Sequence, residues 1–299
     1  MKIEMQNVYH YTSLETFFKL LDGIKDDSFI FYASRISELN DKYELVYGFE
    51  KFWRLLPSIE KELHIDKNEY KLSNLSNNGK FDDLPQIIYN SLTNTRHIPF
   101  VISFSNDKDS LPMWNMYANN GYGVALGLKI QFHISKDHSL ISDLTKYDPS
   151  KPCSVRVSYG RFTKNSIIYN YVKILYYMYY ERVNGLKDEK EIFNKQLELI
   201  EDIGITASVL LKHQSFSFEK ESRYYCKVFD DNLIKFRINS KGNIIPYTEV
   251  KIPISMLNKI VIGPCRDINN INDIISLRLK QIKLGNIKII NSNIPFRDF

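Results

Sequence analysis

The sequence has little cysteine and no long apolar run. Its three cysteines, Cys153, Cys226 and Cys265, are far apart and lack CxxC or Cys/His spacing, which argues against a disulfide framework and a zinc site. No uninterrupted apolar run reaches the roughly 18–20 residues needed to span a bilayer, and residues 1–6 lack the apolar core of a secretory signal. These absences predict a cytoplasmic protein without a membrane anchor.

Interdomain linkers are also lacking. No stretch rich in proline, glycine and serine divides the 299 residues, although the chain exceeds the usual domain length of roughly 100–200 residues. Hydrophobic residues make up 43% of the chain, including 18 Phe and 20 Tyr, which is ample material for a core. We therefore predict a single domain over residues 1–299.

The order of predicted elements favours an α+β protein. Strand patterns without a regular βαβα alternation predict a mixed, largely antiparallel sheet. Helical periodicity dominates residues 165–211, which we interpret as an insertion of two helices, the second broken near Gly204. The predicted strands cover residues 8–11, 29–33, 99–105, 124–128, 155–160, 218–229, 233–238, 247–252, 259–264 and 287–290.

The most informative polar segment lies in the predicted strand 218–229. The strand period of two places Glu219, Glu221 and Arg223 on one face of the sheet. Two close carboxylates repel each other, which raises one pKa, and an adjacent guanidinium counteracts that effect. Such a trio suits a site that binds hydroxyls and stabilises positive charge on a sugar. A solvated sheet face with cross-strand ion pairs is the simpler alternative.

Four further residue types suggest ligand contacts. His10 lies in a strand and offers a ring nitrogen to a ribose or phosphate, while Ser103 and Ser105 share one strand face. Trp114 and Tyr117 lie three apart on a short helix, where either ring can stack on a flat heterocycle. Each residue also has a structural explanation, as a satisfied strand histidine, as tolerated serines or as core aromatics. No HExxH motif or His/Cys cluster predicts a metal.

The motifs taken together resemble the bacterial family called domain of unknown function 2971. The resemblance rests on motifs that follow one another in order across most of the chain. They are Tyr9-His10-Tyr11-Thr12, Leu39-Asn40-Asp41 with Glu44, Ser103-Phe104-Ser105, Met113-Trp114 with Tyr117, Gly121 with Gly123, Lys212, Phe218-Glu219 with Glu221 and Arg223, and Ile260-Val261-Ile262-Gly263-Pro264.

That family in turn resembles the ADP-ribosyltransferases, which implies a split sheet that binds NAD as co-substrate without a metal. His10, with Tyr11 and Thr12, matches the first-strand position that holds the adenosine ribose. Ser103 and Ser105 match the S-x-S that supports the site. The stacking tyrosine of that family is assigned to Trp114 or Tyr117, and Arg223 joins the NAD-binding set.

The same resemblance gives the two glutamates their roles. It implies that Glu221 is catalytic, hydrogen-bonding the nicotinamide ribose and favouring an oxocarbenium-like transition state. Glu219 then orients the acceptor or the sugar. The predicted function is transfer of ADP-ribose to a nucleic acid or a protein, or hydrolysis of NAD, within a bacterial antiphage defence or toxin-like system.

Two other classes of function stay open. The 40 basic and 35 acidic residues give a net charge of +5, which permits nucleic-acid ligands without requiring them. A non-catalytic binding module would hold phosphates with Lys212, Arg223 and Arg237. A metal-dependent nuclease would instead use Glu219, Glu221 and Asp41 as metal ligands.

Overall fold

The computed structural model describes residues 2–39, 44–77, 99–134, 153–160, 167–228, 230–239 and 242–295. Within these ranges the chain forms an α+β fold with a ten-stranded, largely antiparallel sheet, a small two-stranded parallel sheet and eight α-helices. The predicted α+β class is confirmed. No helix in the described ranges is both long and apolar enough to cross a membrane.

The strands in chain order are β1 (Lys2–Ser13), β2 (Ser28–Arg35), β3 (Pro99–Ser105), β4 (Gly123–Ile134), β5 (Cys153–Arg156), β6 (Ser158–Tyr159), β7 (Leu211–Lys212), β8 (Glu221–Lys227), β9 (Lys235–Ile238), β10 (Ile244–Pro253), β11 (Leu257–Ile262) and β12 (Lys288–Asn291). The helices are α1 (Leu14–Asp22), α2 (Glu44–Trp53), α3 (Leu56–Glu62), α4 (Asn74–Asn77), α5 (Leu111–Tyr117), α6 (Ile167–Val183), α7 (Glu189–Leu210) and α8 (Ile268–Gln281).

The main sheet branches at β3. Its strand order is β12-β11-β4-β1-β3-β2-β10-β9, with β8 and then β5 added beside β3. Only β11 and β12 pair in parallel among these described neighbours. Because β8 pairs with β3 along its whole length, β1 and β2 must share the opposite edge of β3. They do so at its two ends, through Ser105 for β1 and through Val101 and Phe100 for β2.

The pleat of β3 separates the two faces of the sheet. Phe100, Ile102 and Phe104 point to the face that α1 and α8 cover, which we call the first face. It holds the largest apolar core. On the other side, the second face, α5 packs its Met113 and Trp114 against the β1 tyrosines. Ser103 and Ser105 alternate with the core residues of β3 and therefore belong to the second face.

A separate apolar cluster forms a helical lobe from α2, α3, α6 and α7. The predicted insertion thus packs mainly against residues 44–77 rather than forming a unit of its own. A buried carboxylate joins the two parts, because Glu60 accepts hydrogen bonds from the Tyr176 hydroxyl at 2.7 Å and from the Ser73 amide at 3.0 Å. The predicted break near Gly204 is wrong, since α7 is continuous, and a helix tolerates one glycine at a cost of about 1 kcal/mol.

Candidate active site

The strand predicted over residues 218–229 begins later than expected, which changes the geometry of the two glutamates. Glu219 ends a 3₁₀ helix, Gln214–Glu219, and Glu221 is the first residue of β8. Lys220 between them has φ 44° and ψ 48°, the left-handed conformation that residues with a Cβ rarely adopt. The prediction that Glu219 lies on a strand face with Glu221 is therefore wrong. The chain instead turns sharply between the two side chains.

Asn106 holds this turn in place from the end of β3. Its backbone amide donates to the Lys220 carbonyl at 2.9 Å, and its side-chain amide donates to the same oxygen at 2.6 Å and to Ser222 Oγ at 2.8 Å. The Lys220 ammonium pairs with Asp107 at 2.8 Å. These bonds offset the cost of the left-handed residue, which is about 1–2 kcal/mol.

The turn brings both glutamates to one ammonium group. Lys212 Nζ lies 2.6 Å from Glu219 Oε2 and 3.1 Å from Glu221 Oε2. Arg223 donates two hydrogen bonds to Glu221, from Nε to Oε1 at 2.9 Å and from Nη2 to Oε2 at 3.0 Å. Its Nη1 also donates to the Val209 carbonyl at 3.1 Å, which fixes the guanidinium against the end of α7. We call Lys212, Glu219, Glu221 and Arg223 the ion quartet.

All four members of the ion quartet are buried, with exposed fractions of 5%, 3%, 4% and 0% in chain order. Two positive and two negative charges leave the ion quartet formally neutral. Removing charges from water costs several kcal/mol per ion, and only close pairing with good hydrogen bonds offsets that cost. Arginine and lysine thus neutralise the carboxylates rather than presenting positive charge to a ligand. A solvated sheet face, the simpler alternative from the sequence, is not what forms here.

The two carboxylates differ in the acceptor capacity that they retain. A carboxylate accepts about four hydrogen bonds. Glu221 accepts from Arg223 twice, from Lys212 and from the Ser103 hydroxyl, so it is saturated. Glu219 accepts from Lys212 and from the Tyr117 hydroxyl at 2.7 Å, and within the described part of the chain its other acceptor positions are unused.

The pKa values of the two carboxyl groups are shifted in opposite directions. Burial raises the pKa of Glu219, and repulsion from Glu221 adds to this, while Lys212 only partly offsets it. Burial also raises the pKa of Glu221, but the attraction of Arg223 and Lys212 outweighs burial, and its pKa lies well below the ordinary value. Glu221 therefore keeps its charge, whereas Glu219 is the carboxyl group that takes up a proton more readily than an ordinary glutamate.

Residues that carry hydroxyls surround the ion quartet on the second face. Ser103 is exposed, and Tyr117 and Tyr159 are half-buried. Tyr159, on β6, accepts the backbone N–H of Glu221 at 2.7 Å. Ser105 is buried and donates to the backbone carbonyl of Glu219 at 2.7 Å. The carboxylates consequently lie beneath a rim of hydroxyl groups formed by Ser103, Tyr117 and Tyr159.

Four of the predicted ligand-binding residues lie away from these carboxylates. The His10 side chain points to the first face of the sheet, where its ring contacts Phe31 and Phe104. Its Nδ1 lies 3.1 Å from the Ser103 carbonyl oxygen. Burial lowers the pKa of His10, so a neutral ring donates from Nδ1 to that oxygen. His10 thereby fills the gap between β1 and β2 on the edge of β3.

The other three are held by the fold on β1 and α5. Tyr11 donates to the Asp107 carbonyl at 2.9 Å and accepts the Ser110 amide at 3.1 Å. Trp114 is fully buried, and its indole N–H donates to Asp109 at 2.8 Å. Thr12 is buried on β1. Stacking of Trp114 on a ligand is therefore ruled out by its burial, which leaves Tyr117 as the aromatic residue beside a glutamate.

The rival sites predicted from the sequence are not assembled among the described residues. Arg237 lies on β9, four strand spacings from β8, or roughly 19 Å at about 4.8 Å each, and donates to Ser34 Oγ at 3.0 Å. Asp41, named as a metal ligand, and Asn40 lie outside the described residues. Within those residues no group of three or more His, Cys, Asp or Glu side chains is placed to hold a metal ion.

Three residues of the site were missed or undervalued at the sequence level. Lys212 was given a role only in the alternative of phosphate binding, besides its place among the family motifs, yet it bridges the two glutamates from β7. Tyr159 and Asn106 were not singled out at all. Asparagine after a strand is a signal for a turn, but its partner at position 220 is remote in sequence. Nothing in the pattern around Tyr159 indicates its contact with Glu221.

Comparisons with known proteins cover part of the chain. Residues 113–224 match a family model described as "Protein of unknown function (DUF2971)" and so carry a domain of this family. The first resemblance predicted from the sequence is confirmed over that range, which contains the whole ion quartet, Tyr117 and Tyr159. No curated protein and no solved structure matches the chain. The more distant resemblance to ADP-ribosyltransferases therefore stays a prediction.

Proposed function

We propose that the protein cleaves the bond between nicotinamide and ribose in NAD and passes ADP-ribose to water, to a nucleic acid or to a protein side chain. The observation that carries the proposal is the contact of Glu219 and Glu221 with one lysine, with pKa values displaced in opposite directions. Paired carboxyl groups of unequal acidity are typical of glycosidic cleavage.

The two carboxylates would have different roles in this reaction. The C1′–N bond breaks and its electron pair leaves with neutral nicotinamide, so the sugar becomes positively charged. Glu221, ionised and fixed by Arg223, stabilises that charge electrostatically. The acceptor oxygen then bonds to C1′ and loses its proton to Glu219, which has unused acceptor positions. This division differs from the sequence-based roles, because the saturated Glu221 would first have to release a partner before binding a ribose hydroxyl.

The surroundings of the ion quartet support a sugar as the group that is bound. The rim of Ser103, Tyr117 and Tyr159 offers hydroxyl groups, whereas the neutral ion quartet offers no net positive charge for phosphate. The branch of the sheet at β3 is also compatible with the split sheet that the resemblance to ADP-ribosyltransferases implies. A cleft that excludes water from the leaving group would complete such a site.

The test measures nicotinamide release from NAD by the purified protein, with and without EDTA. We expect release in the wild type that persists in EDTA, and a loss of at least 100-fold in Glu219→Gln and in Glu221→Gln. Glu249→Gln is the matched control, because Glu249 pairs with Lys235 on the exposed surface, far along the sheet. No release by the folded wild type, or equal rates in all three variants, would sink the proposal.

A further inference from the structure

Tyr159 is anchored beside the ion quartet by its own oxygen. The residue lies on β6, where it is the pairing partner of Lys212 on β7. Its hydroxyl oxygen accepts the backbone N–H of Glu221 at 2.7 Å. Gly160 follows with φ 70°, and its carbonyl accepts the Tyr47 hydroxyl at 3.4 Å. The backbone on both sides of the ring is thus held, so the phenol has a fixed position.

The hydroxyl proton of Tyr159 is not used within the described part of the chain. Among the described residues the oxygen has one hydrogen-bond partner, the Glu221 amide, from which it accepts. A phenol also has one O–H to donate, and here no described residue accepts it. Burial and the nearby carboxylates raise the pKa of Tyr159 above its ordinary value of 10, so the phenol keeps its proton at neutral pH. A half-buried donor that has no acceptor among the described residues is free to donate to water or to a bound molecule beside the two glutamates.

We propose that Tyr159 donates this hydrogen bond to a hydroxyl of the nicotinamide-bearing ribose, an inference that rests on the function proposed above. A sugar hydroxyl is both acceptor and donor, so one group can accept from Tyr159 and donate to an unused acceptor position of Glu219. An anionic phosphate oxygen fits less well, because the formally neutral ion quartet beside Tyr159 offers no net positive charge to attract it. Tyr159 is therefore a substrate-binding residue that orients the sugar over the carboxylates.

The test is a cycle that changes the protein and the substrate in turn. Wild type and Tyr159→Phe are compared on NAD and on analogues lacking the 2′ or the 3′ hydroxyl of the nicotinamide-bearing ribose. On NAD we expect kcat/KM to fall about 10- to 100-fold in Tyr159→Phe. On the analogue that lacks the contacted hydroxyl, the two proteins should differ by less than threefold. Tyr177→Phe, which removes a hydroxyl from an exposed ring on α6, should match the wild type on every substrate.

The outcomes separate this inference from the proposed function. If the wild type turns over NAD but Tyr159→Phe loses the same factor on all three substrates, Tyr159 only supports Glu221 and the inference is overturned. Full activity in Tyr159→Phe overturns it as well. Absence of nicotinamide release by the wild type removes the proposed function and this inference together.

A second variant covers the case in which Tyr159→Phe does not fold. Replacing Tyr159 with 3,5-difluorotyrosine keeps the oxygen that accepts the Glu221 amide but makes the phenol more acidic. If the proton is donated to the substrate, the alkaline limb of the pH profile of kcat/KM should move to lower pH. A profile that superimposes on the wild type contradicts the inference, because a purely structural oxygen would not report the acidity of its proton.

Discussion

Replacing Lys212 with Met tests whether the ion quartet is a balanced set of buried charges. Methionine keeps much of the apolar stem beside Phe216, whose ring centroid lies 4.9 Å from Nζ, but removes the charge shared by Glu219 and Glu221. The remaining charges are then one positive and two negative. Uptake of a proton by Glu219, whose pKa is already raised, is the least costly relief.

The magnitude follows from the ordinary pKa of Glu219 in the unfolded chain, 4.5. Holding that carboxyl protonated at pH 7 costs about 1.4 kcal/mol for each of about 2.5 pH units, or about 3.5 kcal/mol. The value agrees with the roughly 3–5 kcal/mol measured when one partner of a buried pair is removed. Because the folded variant holds a proton that the unfolded chain releases above pH 4.5, its stability falls as the pH rises. The deficit relative to wild type should shrink below about 1 kcal/mol at pH 5.

The assay is urea unfolding at pH 5, 6 and 7, followed by circular dichroism and by the fluorescence of the buried Trp114. Lys235→Met is the control, because Lys235 pairs with Glu249 at the exposed surface, and its loss should leave the stability nearly unchanged at every pH. Adding Glu219→Gln to Lys212→Met should abolish most of the pH dependence. If the stability lost in Lys212→Met is the same at pH 5 and at pH 7, proton uptake by Glu219 is refuted.

Three further predictions concern stability. In the wild type, the lowered pKa of Glu221 contributes stability above its ordinary pKa of 4.5 that is lost as the pH falls toward 2, and Glu221→Gln should flatten this acid limb in urea titrations. Asn106→Ala removes both side-chain bonds that hold the Lys220 turn and should cost about 1–2 kcal/mol, measured by thermal unfolding. Tyr176→Phe leaves the buried Glu60 without its tyrosine donor and should cost about 1–3 kcal/mol, while Tyr177→Phe, on an exposed ring of the same helix, should be neutral.

Local patterns in the sequence were sufficient for most of the elements. The strand over residues 99–105 has the predicted bounds, and α6 and α7 lie within the predicted helical region 165–211, because strand and helix patterns are properties of neighbouring residues. The face of His10 could not be predicted in the same way. Its ring lies in the gap between two strands that meet β3, and which strands pair is decided by contacts about 93 residues apart.

The site was predicted in composition but not in geometry. Glu219, Glu221, Arg223, Ser103, Ser105 and Tyr117 do converge. The strand period nevertheless failed at Lys220, because Asn106 stabilises a left-handed turn there that no local propensity favours. The prediction that Trp114 stacks on a ligand failed for a related reason. Its indole N–H donates to Asp109, which also accepts a hydrogen bond from the distant Ser292. Side-chain partners of this kind depend on tertiary structure, which periodicity does not report.

The branch at β3 has a consequence for how the chain is assembled. β3 needs partners from the start of the chain, from residues 34–35 and from residues 221–227. Synthesis runs from the N-terminus, so β3 is made long before its longest partner, β8, leaves the ribosome. One edge of β3 has no partner strand during that interval. Glu221 and Arg223 lie on β8 and Glu219 directly precedes it, so all three are synthesised together with the strand that covers this edge. Pairing of the second edge of β3 and completion of the ion quartet are therefore the same event in folding.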